Sequence, residues 1–126
     1  MYFMACSGST VTGELARRAC IEICEKLRPD AAKITSLAFY AQALITGDRG
    51  ILGSSIENLK EESVACVNGC SMECAAKIVK ALGLEPKCSI QLLEELKGVK
   101  KTGKLSDVKP EDVDVAVNYV IERSKL

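Results

Sequence analysis

Short apolar runs and longer amphipathic stretches alternate along this chain. Runs at residues 2–5, 33–39 and 64–67 predict three strands. Residues 88–93 fit a short capped helix locally, but their place in the alternation favours a fourth strand. Helical spacing of apolar residues predicts helices over about residues 14–27, 54–62, 71–82 and 110–122. This order predicts an α/β fold of three layers, in which a mainly parallel sheet of about four strands has the Rossmann-like or flavodoxin-like order 2-1-3-4.

The most informative stretch runs from Val64 to Gly83. Asn68 and Gly69 follow the apolar run and predict a tight turn, because both residue types tolerate turn conformations. Ser71 is then expected to cap a helix that ends at Gly83. Strand, turn and helix are therefore expected in direct succession.

Two cysteines, Cys70 and Cys74, lie where this turn becomes the helix. With the helix starting at Ser71, they are expected to share one helical face. Free N–H groups and the positive end of the helix dipole favour thiolate over thiol at such a position. Thiolate is the form that binds a metal or attacks a disulfide.

The predicted sheet brings a third cysteine to the same edge. Cys6 ends the first strand and Cys70 follows the third. In the order 2-1-3-4 these strands are neighbours about 4.8 Å apart. Ligands of such sheets bind outside the carboxyl ends of the strands. Cys74 would reach this edge from its helix, and Ser36 from the second strand.

Composition limits the kinds of protein this can be. The 126 residues suit one domain, residues 1–126, and 17 basic residues balance 17 acidic ones. A net charge of zero argues against nucleic acid or a membrane surface as the main partner. No apolar run approaches the roughly 20 residues of a membrane span, and no basic leader precedes the first strand.

The chain has seven cysteines and no histidine. An odd count, with several cysteines inside predicted elements, favours reduced thiols in the cytoplasm over a secreted disulfide scaffold. Without histidine, catalysis by a His-containing triad is excluded, and Cys, Asp and Glu remain as ionisable ligands. Cys20 and Cys24 follow a buried helical stripe and are interpreted as apolar filler. Cys66 lies too deep in its strand to reach the edge.

Two motifs occur together in this chain: Cys6-Ser7-Gly8-Ser9 with Thr12-Gly13, and a second that runs from Asn68-Gly69-Cys70 to Lys77. Together they resemble the DGC-domain family, which is named for an Asp-Gly-Cys motif. The resemblance covers nearly the whole chain and implies zinc binding through four cysteines, of which three match: Cys6, Cys70 and Cys74. It also implies a group of residues that line the site: Ser7, Gly8, Ser9, Ser36, Asn68 and Gly69.

The chain departs from the family pattern at two positions. Ser36, in Ser36-Leu37-Ala38, stands where the family has the cysteine of a Cys-Leu-Ala run. This departure removes one ligand, so the resemblance implies three thiolates and an open fourth position. Asn68 stands where the name motif has aspartate, which removes a negative charge from the neighbourhood of the site.

Three functions are compatible with this pattern. The leading hypothesis is a zinc-binding protein whose fourth ligand is water, a small-molecule thiol or a side chain of a protein partner. A second is a thiol redox or sulfur-transfer protein that uses Cys70 and Cys74. A third is an anion-binding enzyme that uses the Cys6 loop, although Thr12 occupies the position where a thiol phosphatase would carry arginine.

Overall fold

The fold is built on a parallel sheet of four strands. A computed structural model describes residues 1–6, 10–48, 50, 53–96 and 103–126. The strands are β1 (Tyr2–Ala5), β2 (Lys33–Thr35), β3 (Val64–Asn68) and β4 (Cys88–Gln91). Their order is β2-β1-β3-β4 and every pairing is parallel. The predicted α/β class and strand order are therefore confirmed.

Helices cover both faces of this sheet. They are α1 (Val11–Glu22), α2 (Leu37–Thr46), α3 (Gly53–Glu62), α4 (Cys74–Ala81), α5 (Leu92–Glu95) and α6 (Pro110–Ser124). A π-helical turn, Ile23–Leu27, extends α1, and a 3₁₀ turn, Leu105–Asp107, precedes α6. Within the described ranges no helix combines the length and the apolar character needed to cross a bilayer.

Alternate side chains of the strands point into two separate cores. Phe3 and Val67 face one core, where they pack with α1 and α6. Met4 and Cys66 face the other core, where they pack with α2, α3 and α4. Because successive residues of a strand point to opposite faces, the sheet forms the middle of three layers.

The second strand is shorter than the sequence indicated. β2 ends at Thr35, and Ser36 is the N-cap of α2, with its hydroxyl accepting a hydrogen bond from the Phe39 N–H at 3.3 Å. The apolar run of residues 37–45 belongs to this helix. Capping a helix end in this way satisfies an N–H group that has no partner within the helix.

The last third of the chain follows the predicted pattern with one addition. β4 ends at Gln91, and the short helix α5 takes up the rest of the run that the sequence assigned to the strand. Pro110 is the first residue of α6, and Glu111 and Asp112 lie in its first turn. This arrangement suits both the fixed φ of proline and the helix dipole.

Candidate functional site at the carboxyl edge of the sheet

Cys6 and Cys70 lie beyond the carboxyl ends of two adjacent strands. Ala5 of β1 is in register with Val67 of β3, and the Cys6 N–H extends this ladder by donating to the Val67 carbonyl at 2.9 Å. Cys6 and Cys70 are each only 8% exposed. Parallel pairing thus brings residues that are far apart in sequence to the same edge.

Close backbone packing holds the Cys70 loop against the start of α1. A Cβ atom on Gly69 would lie 2.7 Å from the backbone nitrogen of Gly13 and 2.9 Å from the carbonyl carbon of Thr12. These contacts are too short for any side chain, so position 69 requires glycine here. The loop after β3 and the first turn of α1 therefore meet backbone to backbone.

The Thr12 side chain lies in the same first turn and is fully buried. Its hydroxyl has no hydrogen-bond partner in the part of the chain that the structure describes. A buried hydroxyl without a partner costs about 1–3 kcal/mol. Thr12 thus combines a backbone contact to the Gly69 position with a buried hydroxyl that has no partner among the described residues.

The helix after β3 begins later than the sequence predicted. α4 starts at Cys74, and the Glu73 N–H donates to the Cys70 carbonyl at 3.1 Å, which closes a turn over residues 70–73. Glu73 has a φ of +50°, a left-handed conformation uncommon for a residue with a side chain. Ser71 is therefore a turn residue and not the cap, and Cys70 does not share a helical face with Cys74.

Asn68, the last residue of β3, is fully buried and joins three elements. Its amide nitrogen donates to the Ser89 hydroxyl at 2.9 Å and to the Ile90 carbonyl at 3.2 Å, both in β4. Its amide oxygen accepts from the Ala76 N–H in the first turn of α4 at 3.3 Å. The side chain thus fixes the start of α4 relative to the sheet.

A cavity of about 180 Å³ adjoins Cys6 on the side of β2. Its polar lining comes from Cys6, Thr35, Ser36 and Arg17, and its apolar lining from Ala5, Ile34 and Leu37. Ser36 therefore lines the same cavity as Cys6 while its hydroxyl caps α2. A wider depression of about 300 Å³ continues along β2 toward Tyr40 and Asn58.

Positive charge collects beside this cavity around one carboxylate. Glu14 accepts from Arg17 Nε at 3.2 Å and from Arg18 Nε at 2.9 Å. Hydrogen bonds from Arg17, followed by those from Arg18, hold the pKa of Glu14 below its usual value even though burial opposes this. Two guanidinium groups share one carboxylate, so the cluster carries an excess of one positive charge. The i, i+3 and i, i+4 spacing of Glu14, Arg17 and Arg18 permits these ion pairs, but the cluster was not among the predicted site residues.

The remaining cysteines are separated from the edge. Cys20 and Cys24 lie in the core under α1, and burial raises the pKa of both thiols, that of Cys24 to about 11. Cys66 lies in the opposite core, where burial raises its pKa to about 12. Burial likewise raises the pKa of Cys88. At these four positions burial thus disfavours the thiolate form, which is the form that binds a metal.

The donor set at the edge matches zinc in its chemistry, since sulfur ligands suit this ion. Across residues 1–6, 10–48, 50, 53–96 and 103–126, however, no group of three or more Cys, Asp or Glu side chains is arranged to hold a metal. Cys6, Cys70 and Cys74 therefore do not form a metal-ligand set in the part of the chain that the structure describes. The predicted lining residues Ser7, Gly8 and Ser9 lie outside the described residues.

Fold and edge together define a small α/β protein with thiols at the carboxyl edge of a parallel sheet. The chain belongs to the DGC-domain family: the family model, described as DGC domain, matches residues 2–120. The match includes all four strands and Cys6, Cys70 and Cys74. No curated protein and no solved structure matches the chain.

Proposed function

We propose that this protein binds one zinc ion through Cys6, Cys70 and Cys74, and that the fourth coordination position is open to an exchangeable ligand. The observation that carries the proposal is the parallel pairing of β1 with β3, from which Cys6 and Cys70 both emerge at one edge. Cys74 follows at the start of α4, four residues after Cys70. These three side chains would bind the metal as thiolates.

Binding by these residues needs local adjustment of their side chains. The turn over residues 70–73 can supply it, because Cys70 lies outside α4 and its thiol is not constrained by helical geometry. The buried hydroxyl of Thr12, a residue whose backbone contacts the Gly69 position, is a candidate hydrogen-bond donor to a thiolate of the site. Such outer hydrogen bonds orient metal ligands and adjust their basicity.

When bound, zinc with three protein ligands supplies a Lewis-acid position to which water or a substrate can bind. The chain's own residues would hold the metal, exclude bulk water from two nearly buried thiols and shape the cavity next to Cys6. Because reduced cysteines persist in the cytoplasm, and the chain has seven thiols, we propose that compartment for the protein.

Metal analysis of protein purified anaerobically tests the proposal. We expect one zinc per chain, and we expect each of Cys6→Ser, Cys70→Ser and Cys74→Ser to weaken zinc binding in competition with a chromophoric chelator. The loss should exceed the about 10- to 100-fold that follows from changing an outer-shell partner. Cys24→Ala and Cys66→Ala are matched controls, since they remove cysteines from the two cores. Equal losses in the control variants, or no bound zinc, would exclude this site.

A second function, thiol redox chemistry at Cys70 and Cys74, is favoured by the late start of α4. Had both cysteines been in one helix, their fixed Cβ directions would have opposed a disulfide. Because Cys70 lies in the turn before the helix, that obstacle is absent. Mild oxidation of metal-free protein should then give an intramolecular disulfide that dithiothreitol reduces. If peptide mapping finds both thiols still reduced, the redox function is ruled out.

A further inference from the structure

The Arg17 guanidinium is fixed on one edge and open on the other. Its Nε and Nη2 atoms donate to the carboxylate of Glu14, a nearly buried residue in the first turn of α1. Nη1 of Arg17 has no partner among the described residues. A guanidinium holds five N–H donors in a rigid fork, so the edge formed by Nη1 and Nη2 still has donors for a second carboxylate.

The charge around Arg17 suits a ligand with one negative charge. Glu14 also accepts a hydrogen bond from Arg18, so two guanidinium groups share one carboxylate and one positive charge is left over. A monoanion balances this charge. Because the pairing with Glu14 already holds the Arg17 side chain in place, binding an anion would restrict few further rotamers, and such preorganisation favours affinity.

Arg17 lines a cavity of about 180 Å³ beside the carboxyl ends of β1 and β2. This volume is below the about 300 Å³ at which pockets for drug-sized ligands begin, so it suits a molecule of a few heavy atoms. Arg17 is the only charged residue among the described residues of the lining. Two hydroxyl residues and three apolar ones accompany it: Thr35, Ser36, Ala5, Ile34 and Leu37.

We propose that this cavity binds a short-chain monocarboxylate, with the carboxylate on Arg17 and the alkyl chain against the apolar lining. The Ser36 hydroxyl accepts from the Phe39 N–H and keeps its own proton, which it can donate to a carboxylate oxygen. Binding makes and breaks no covalent bond. Cys6 also lines the cavity but has no role in this site, which therefore does not depend on the proposed zinc ion.

Four small molecules test the site in amide NMR titrations of the reduced protein. Butyrate carries a carboxylate and a short chain, 1-butanol has the chain without the charge, acetate has the charge with one methyl group, and phosphate has charge without a chain. We expect butyrate to shift the amide signals of residues 34–37 until they saturate, with an affinity about tenfold above that of butanol, which is the size of one charge-assisted contact. Acetate and phosphate should bind more weakly than butyrate, because they bury less apolar surface.

Two arginine variants separate a direct contact from the effect of general charge. Arg17→Gln should lower the affinity for butyrate to that for butanol. Arg18→Gln removes the same charge and one hydrogen bond to Glu14, but Arg18 does not line the cavity, so the preference for butyrate should remain. Thermal midpoints of both variants verify that the fold is intact.

Several results would overturn the carboxylate site. Equal affinities for butyrate and butanol, shifts spread over the surface instead of residues 34–37, or equal losses in the two arginine variants would each exclude it. Phosphate binding as tightly as butyrate would show that the cavity selects charge alone. Titrations with and without added zinc should agree; butyrate binding that requires zinc would assign the carboxylate to the metal and not to Arg17. Chelator competition measures the zinc site separately, so either proposal can fail while the other stands.

Discussion

Asn68→Asp changes one buried atom in the structure and reverses its hydrogen-bonding character. The asparagine nitrogen donates to Ser89 and to the Ile90 carbonyl, at 2.9 and 3.2 Å. A carboxylate oxygen at the same place can accept from the Ser89 hydroxyl after that hydroxyl rotates. It cannot donate to the Ile90 carbonyl, so two oxygen atoms would face each other in the core. The bond from the Ala76 N–H would remain.

The expected loss of folding stability in Asn68→Asp follows from one lost hydrogen-bond donor and one buried charge. Losing the partner of a buried carbonyl costs about 1–3 kcal/mol, and burial of the carboxylate adds to it, so we expect about 3 kcal/mol at pH 7. Burial raises the pKa of the introduced carboxyl above its unfolded value of about 3.9. The penalty is therefore present above the raised pKa and falls as the group becomes protonated, to about 1 kcal/mol near pH 4.

Urea unfolding of metal-free, reduced protein at both pH values measures this effect. Ser89→Ala is the control: it removes one acceptor at an exposed position, where water can replace it, so we expect a loss below about 1 kcal/mol at either pH. A loss in Asn68→Asp that is under 1 kcal/mol and independent of pH would refute the argument that the amide nitrogen is needed as a donor.

Three further variants address the site and its supports. Gly69→Ala should destabilise the protein by about 1–3 kcal/mol in thermal unfolding, because its Cβ would meet backbone atoms of Gly13 at under 3 Å. Glu14→Gln should cost about 1 kcal/mol at neutral pH, a modest value because both arginines are about half exposed. The pKa of Glu14 is lowered from 4.5, so the stabilisation by these ion pairs is complete at pH values above the unfolded pKa and is lost as the pH falls through the lowered pKa. In urea unfolding, the difference in free energy of unfolding between Glu14→Gln and the unchanged protein should therefore be smaller at pH 3 than at pH 7. Ser36→Cys should raise zinc affinity by about 10- to 100-fold in chelator competition if residue 36 can reach the metal, and unchanged affinity would mean that it cannot.

Much of the fold was predictable because it depends on local patterns. Apolar runs separated by amphipathic helices identified the strands, and the 2-1-3-4 order follows a common way of arranging such units. Pro110 and Gly83 marked helix boundaries through their own backbone preferences: Pro110 begins α6, and Gly83 has a φ of +84°. Such features need no knowledge of tertiary contacts.

The errors came where a local pattern fits two structures. Residues 36–39 fit the continuation of a strand as well as a helix, and only the cap at Ser36 and the left-handed Gly47 identify the run from residue 37 to residue 46 as a helix. The start of α4 gave no such signal, because the left-handed residue that precedes it is Glu73, a residue type rarely found in that conformation.

The site was predictable in outline only. That Cys6 and Cys70 meet at one edge follows from strand order. The roles of Asn68 and Gly69 depend on β4 and on the first turn of α1, which are distant in sequence and meet them only in the folded state. Arg17 lines the cavity because of where α1 packs, which a spacing pattern cannot specify.

The position of β1 inside the sheet has a consequence for synthesis of the chain. β1 precedes the other strands in sequence, yet it lies between β2 and β3 and pairs with both. β3, the neighbour of β1 on the side of Cys70, is complete only when residue 68 has left the ribosome tunnel. Until then Phe3 and Met4, which are fully buried in the native state, are available to chaperones. Such long-range pairing slows folding, so the edge that carries Cys6 and Cys70 can be assembled only after more than half of the chain has been made.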